Sequence, residues 1–455
     1  MAKTTISYAG RTLPVIASVD LCVCGGGPSG VAAAVTAARG GVRTLIVEQG
    51  IALGGLQTLG LVQPLMPTLA PGSDTPYVKE IKERLEQAGI EHSDGLTTTC
   101  WTNPETLALI YDQLTAAAGV TVLYHSTLVD VLQDKNQLIT AVILQTVQGL
   151  VAVTAAAFID ATGDAVLARL AGVPVEAGYA KTGHNQPMSF RFEMGGIDID
   201  KLYQYDAVEL QDDRCKTKPP YFEIAEARNR TTMYKLEDFF QRGVASGELK
   251  KEDADYIQAF TITGKPGTMS MNCPELPLEF SATEPLSYSR AVSYGRGMIR
   301  RIAQYLVKHM PGFEHAYISR EAAMLGARES WRIRGKYYMT ESDYHDRSRF
   351  ADAVARTAWY IDAHGERVDA KLPMGEFYEI PYRALITEKV PNLLVGGRCI
   401  SASFVLQASM RIQPTCMSIG EAAGIAAAWG IRHGTEVNAI KWEDIPREER
   451  SYCGD

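Results

Sequence analysis

The chain has 455 residues, 46% of them hydrophobic, enough to bury the cores of two or three domains. Its formal net charge of −8 and the lack of a basic cluster interleaved with aromatics argue against general nucleic-acid binding. Its eight cysteines are scattered, and no C-x-x-C pair occurs. That gives no sign of a zinc site or a dithiol redox centre and points to the reduced thiols of a cytoplasmic protein.

The N-terminal segment MAKTTISYAGRTLPV lacks the apolar region of a signal peptide. Val19 to Cys24 is an apolar run expected of a buried parallel strand, and Cys22 and Cys24 on one face of it would not bridge each other. Gly25, Gly27 and Gly30 follow as G-x-G-x-x-G. The first glycine allows a tight turn, the second a close pyrophosphate, the third close packing of helix on strand. Pro28 and Ser29 open an Ala-rich helix that runs to Arg39 and ends at Gly40-Gly41. Arg43 to Val47 is the second strand, and Glu48 at its end is placed to accept the ribose hydroxyls of a dinucleotide.

After Glu48 come Gly54-Gly55 and Thr58. This glycine pair resembles the extended fingerprint of FAD-binding proteins of the glutathione-reductase type, although such a pair also makes a plain turn. Helices are expected over Pro76 to Ala88 and from Asn103 to Ala118, with Asn103 as cap before Pro104. Val120 to Tyr124 reads as a strand, and a three-stranded meander follows near Leu128, Leu138 and Leu150. The longest apolar stretch, Thr140 to Ile159, is broken by Gln145, Gln148 and Gly149, so it reads as strands around a turn and not as a membrane span. Ala156 to Asp164 ends in Thr162-Gly163, like the A-T-G that leads back to the nucleotide in FAD proteins.

From 178 to 375 charged residues, aromatics and turns become more frequent and nucleotide signals disappear. A strand is expected from Met188 to Phe192. A helix is expected from Ser287 to His309 with Ala291, Met298, Ile302 and Leu306 on one face, and a second long helix from Asp343 to Asp362 with His345 and His364 near its ends. Leu393 to Val395 is a strand, Gly396-Gly397 a turn, and Pro414 to Ala428 a helix with a packing face of small residues. This segment resembles the C-terminal flavin segment of the same families, which implies that Thr415, Cys416 and Met417 offer N–H groups to the flavin at the helix start, where positive potential favours a reduced flavin anion. The tail from Trp442 to Asp455 reads as polar and loose. The fold expected is α/β: a Rossmann-like FAD-binding domain, with parallel sheet and meander, built from residues 1–177 and 376–455, and an inserted α+β substrate domain over 178–375.

With these segments placed, the chain resembles the FAD-dependent oxidoreductases, which are related to fumarate reductase flavoproteins and to the flavin subunits of heterodisulfide reductases. The resemblance spans nearly the whole chain. It includes PGFEHAYI (Pro311 to Ile318), GARESWRIRGKYYMT (Gly326 to Thr340), WYIDAHG (Trp359 to Gly365), EIPYRALI (Glu379 to Ile386), and GRCISA (Gly397 to Ala402) with SMRIQPTCMSIGEAAG. One departure stands out. Many relatives carry a histidine soon after C-I-S-A, where this chain reads Ser403-Phe404-Val405.

The resemblance implies noncovalent FAD, with a link to Cys399 or Cys416 as the alternative. It implies hydride transfer between flavin N5 and a small polar or anionic substrate at a C–C or C–O bond. Arg328, Arg332, Arg411, Tyr382 and Arg383 are the candidate substrate and proton-handling residues, each with a structural alternative, and Arg334 reads as a solvated ion pair. Arg398, beside Gly397, is expected to meet phosphate or ribityl. No metal site is indicated. No second G-x-G-x-x-G occurs, so NAD(P)H as an external donor would share the flavin face. The rival functions are an electron-transfer flavoprotein subunit, a noncatalytic redox sensor, and a nicotinamide dehydrogenase without flavin. The partners expected are a small-molecule substrate and further copies of the chain in a homo-oligomer; neither membrane nor nucleic acid is expected.

Overall fold

Five short parallel strands, four of them buried on both faces, form the centre of the computed structural model, which describes residues 4–90, 100–210, 222–227, 236–365 and 370–454. Their order is Leu393–Val395, Ala157–Asp160, Leu21–Cys24, Thr44–Val47, Thr121–Leu123. Burial on both faces explains why these strands read as continuous apolar runs without alternation. The helices Pro28–Arg39 and Gln413–His433 lie against this sheet and against each other. Their backbones approach so closely that a Cβ on Gly420 or Gly424 would fall inside 3.0 Å of the Ser29 or Ala33 backbone.

The meander is larger than the sequence suggested. Thr127–Gln133, Ile139–Thr146 and Gly149–Thr154 pair antiparallel as expected, but a hairpin of Thr5–Tyr8 and Arg11–Ser18 joins them through a parallel pairing with Gly149–Thr154. The hairpin turns on Ala9 (φ 47°) and Gly10 (φ 75°). An Ala at the first left-handed position is a far weaker turn signal than Asn or Asp, which is why the strands were not legible.

Between the strands Ala157–Asp160 and Leu393–Val395 the chain builds a second, antiparallel sheet: Glu223–Ala227, Tyr256–Ile262, Lys265–Met271, Phe192–Gly195, Tyr317–Glu321. The strand expected over Met188 to Phe192 is only an isolated bridge at Ser189 before Phe192–Gly195 begins. The helix Pro285–His309 is capped by the Glu284 carboxylate and buries Ala291, Met298, Ile302 and Leu306. The core of this sheet draws on Leu61 and residues 188–327, whereas Ile333, Tyr344, Val354 and Ile361 join the core of the parallel sheet.

Two expectations are corrected. The long helix from Asp343 to Asp362 is instead a single turn, Glu341–His345, and a strand, Ala353–Thr357. The Asp343 carboxylate is taken by the capping box with Thr340, Arg347 is left-handed (φ 53°), and Ala353–Thr357 pairs with Tyr378–Pro381. A non-local pairing thus overrides local helix propensity. The C-terminal tail is not loose: Trp442 is fully buried and stacks on Tyr382 with ring centroids 5.8 Å apart, and the Tyr452 hydroxyl donates to Glu379 at 2.6 Å. Cys22, Cys24, Cys273, Cys399, Cys416 and Cys453 are unpaired, while Cys215 lies outside the described residues. No described helix is long and apolar enough to cross a membrane.

Glu421 stands out in this packing. It is buried in the helix Gln413–His433 and accepts the Tyr77 N–H at 3.1 Å, so it caps the neighbouring helix Pro76–Gln87 from outside. Burial pushes its pKa up to about 7, against the opposing effect of hydrogen bonds from Thr75 and the Tyr77 N–H. A carboxyl raised on folding stabilises the fold below its unfolded pKa, and that contribution is lost as pH rises through the folded value. Stability should therefore fall between about pH 4.5 and 7 by up to ~3 kcal/mol from this group. Glu421→Gln should remove this component, which is read as the difference between wild-type and variant denaturation curves across that range. A constant difference would rule the account out.

Candidate active site

The first glycine of the fingerprint, Gly25, is left-handed (φ 101°) and turns the chain beneath Ala161. Gly27 caps the following helix, and beyond its Cα the space is open. Pro28 has no N–H, and the first intrahelical bond runs from Val31 to the Gly27 carbonyl at 3.0 Å. The N–H groups of Ser29 and Gly30 are thus left for a ligand, as expected at a helix start. The Ser29 hydroxyl is buried without a partner. Gly54 donates to the Gly26 carbonyl at 2.7 Å, which lays the Gly54-Gly55 turn directly on the fingerprint. Thr58 supports that turn by donating to Leu53 O at 2.7 Å. Glu48 receives the Gly26 N–H at 2.7 Å and the Gly50 N–H at 2.6 Å, one on each oxygen, leaving each a lone pair for a hydroxyl. Thr162 is used internally, donating to Asp160 at 2.7 Å and accepting the Val166 N–H.

At the far end, the helix Gln413–His433 starts against the same loop. Tyr111 donates to Gln57 at 2.5 Å, Gln57 to Gln413 at 2.8 Å, and Gln413 to Val62 O at 2.7 Å. Cys416 already donates to Ile412 O at 2.9 Å. The free N–H groups are therefore those of Gln413 and Thr415, and the role expected for the N–H groups of Cys416 and Met417 is corrected. The Thr415 hydroxyl is also buried without a partner. An acid at the strand end, free N–H groups at two helix starts and two orphaned hydroxyls fit the ribose, pyrophosphate and flavin of FAD.

Beside that helix start, a charged cluster is assembled from six distant segments. Arg411 donates to Asp362 Oδ2 at 3.0 Å, and His364 lies 3.1 Å from Asp362 through Nε2 and 2.6 Å from Glu275 through Nδ1. Glu275 pairs with Arg328 at 3.2 Å, and Arg328 also donates to Pro187 O at 2.6 Å. Tyr256 faces His364 with ring centroids 5.6 Å apart. Arg191 is 3% exposed, and its Nε and Nη2 have no partner; Arg411 Nε is likewise unpaired. Burial, with Arg328 nearby, pushes the Arg191 pKa down to about 10, so it remains charged at neutral pH. Burial opposes ionisation of Glu275, but His364 and Arg328 outweigh it and hold its pKa below the usual carboxylate range.

The sequence matches the family described as FAD dependent oxidoreductase over residues 20–448. The chain belongs to that family. It is similar to a triple mutant of the flavin-dependent brominase Bmp2 (13% identity, 94% of this chain and 84% of that one, TM-score 0.50), a likeness of fold. It also matches a geranylgeranyl bacteriochlorophyll reductase-like protein of Thermoplasma acidophilum (13% identity, 96% and 84% covered, TM-score 0.48). A third match is p-nitrophenol 4-monooxygenase of Pseudomonas putida (9% identity, 96% and 84% covered, TM-score 0.48). No curated protein matches the chain.

Of the candidate substrate residues of this flavoenzyme, only Arg328 and Arg411 come together. Arg332 is 1% exposed and spent on Glu329, on Glu176 at 3.2 Å and on Ala402 O at 3.0 Å. Arg334 pairs with Glu176 on the surface. The Tyr382 hydroxyl donates to Val437 O at 2.7 Å, and Arg383 forks onto Asp352, which leaves both outside the cluster. Arg398 donates to Gly163 O, Ala327 O and Asp164, so it ties the Thr162-Gly163 turn to the second domain; the expected contact with phosphate or ribityl is corrected to this role. Phe404, which follows the C-I-S-A motif, packs on Tyr179 with ring centroids 5.1 Å apart. Arg191, Tyr256, Glu275, Asp362 and His364 were missed. Asp362 and His364 stand in the WYIDAHG motif, which the sequence pattern places at a helix end but which is not helical.

Proposed function

We propose that the protein holds FAD noncovalently and exchanges a hydride between flavin N5 and a small substrate carrying a carboxylate. The observation that carries this reading is Arg191, a buried cation with two unpaired donors near Arg328, which itself lies near Arg411. Unpaired donors on a buried guanidinium are costly to keep unless an anion satisfies them. FAD supplies the two-electron chemistry when bound. Arg191, Arg328 and Arg411 bind and orient the anion, and their charge favours electron density developing on a substrate carbonyl or double bond next to it. Noncovalent attachment is supported by the two nearby thiols. Burial pushes Cys399 upward and Cys416 up to about 12, so neither supplies a thiolate at neutral pH.

The purified protein should be yellow, and denaturation should release all flavin absorbance into the small-molecule fraction. Under anaerobic conditions a panel of hydroxy, amino and saturated carboxylic acids should include one that bleaches the oxidised flavin, or an unsaturated or keto acid that reoxidises the reduced one. Flavin that stays with the denatured chain would overturn noncovalent attachment. Turnover of neutral substrates alone would overturn the anion site.

A further inference from the structure

Resting on the anion-site reading above, we infer that His364 is a positioning residue: it acts as an imidazolium bridge that aims Arg328 and Arg411 at the substrate, and anion binding weakens when it loses its proton. The two ring nitrogens sit 2.6 Å from a Glu275 oxygen and 3.1 Å from an Asp362 oxygen. Carboxylates only accept, and a neutral imidazole has a single N–H, so both bonds form only when the ring carries two. Each carboxylate in turn holds one arginine: Glu275 holds Arg328 at 3.2 Å and Asp362 holds Arg411 at 3.0 Å. The result is a continuous chain, Arg328–Glu275–His364–Asp362–Arg411, in which one ring braces both guanidinium groups.

Both ring nitrogens are already engaged, so His364 is not the group that hands a proton to substrate. Its charge matters instead. Three arginines and the imidazolium face two carboxylates, a surplus of two positive charges that halves when the ring becomes neutral. A neutral ring would also set a nitrogen lone pair against a carboxylate and free that carboxylate to swing with its arginine. The groups that face the ring are Arg328, Glu275, Asp362 and Tyr256, with Arg191 behind Arg328 and Arg411 behind Asp362. Burial and Arg328 oppose protonation, while Asp362 and Glu275 outweigh them and hold the His364 pKa above its usual value. An anion on the arginines cancels the opposition from Arg328. Binding therefore raises the His364 pKa further, and in the pH range where the free ring is partly neutral the anion arrives together with a proton.

The test uses the FAD-loaded protein with malonate as the probe. Flavin absorbance gives the affinity across pH, calorimetry in two buffers of different ionisation enthalpy counts protons, and nitrogen-15 NMR of the imidazoles reads the state of His364. The expected result is a doubly protonated His364 at neutral pH, malonate affinity that falls up to about tenfold per pH unit above its pKa, and uptake of up to about one proton in that range. His364→Gln should bind malonate at least about tenfold more weakly, with the pH dependence gone. If that variant fails to fold, the wild-type proton count and NMR decide alone. A singly protonated ring below neutral pH, or malonate affinity independent of pH without proton uptake, overturns the inference and leaves the anion site standing. No malonate binding at any pH overturns the anion site and this inference with it.

Discussion

Arg191→Met should lower kcat/KM for the carboxylate substrate by roughly 100- to 1,000-fold while leaving FAD bound and the fold no less stable. Two charge-assisted hydrogen bonds to a desolvated carboxylate account for about 3–4 kcal/mol, which is that fold-change. The stability half of the expectation has the opposite sign from an ordinary core mutation. In the free protein Arg191 is 3% exposed and its Nε and Nη2 have no partner, with the Phe260 ring beneath the guanidinium at 5.3 Å. Met fills similar volume without burying a charge, so removing the guanidinium removes a desolvation cost. Steady-state kinetics and thermal denaturation of the same preparation check both halves. A variant that is destabilised but retains wild-type kcat/KM would show Arg191 to be a structural residue.

Gly420→Val should yield a protein that has lost FAD, or binds it at least about 100-fold more weakly, and is destabilised by ~3 kcal/mol or more. The Cβ of any residue at 420 falls inside 3.0 Å of three Ser29 backbone atoms. Backbone cannot rotate away as a side chain can, so the two helices must separate. Ser29 carries one of the N–H groups left for the pyrophosphate, and displacement of its helix misaligns that donor together with the one on Gly30. The effect should therefore appear in cofactor retention before it appears in secondary structure. Flavin absorbance per protein and circular dichroism of the same sample separate the two. Full FAD content with an unchanged melting temperature would mean that the helices do not approach as described.

Much of the nucleotide half was legible because its physics is local. The turn at Gly25, the helix start at Pro28, the acid at Glu48 and the glycine pair at 54–55 are each dictated by a few consecutive residues, and their spacing places them. The roles of Thr162 and Arg398 were less legible, because polar atoms near a cofactor have competing partners. Thr162 is taken by Asp160 and Val166, and Arg398 by Gly163, Ala327 and Asp164, all but Asp160 and Val166 in segments far from the side chains they meet or hidden by a turn.

The sequence by itself determined the family, the parallel core and the strand, glycine turn and helix that lead to Glu48, since apolar runs, glycines and caps act within a few residues of themselves. Only the tertiary structure decided which charges come together. Arg332 and Arg328 are four residues apart in one motif, yet Glu329 and Glu176 neutralise the first while the second turns toward Glu275. Arg191, Glu275, His364 and Arg411 come from segments that share no local pattern and meet where the inserted sheet closes on the start of the last long helix. Burial then sets their worth, because a guanidinium in water is ordinary and one without a partner in a dry interior awaits an anion.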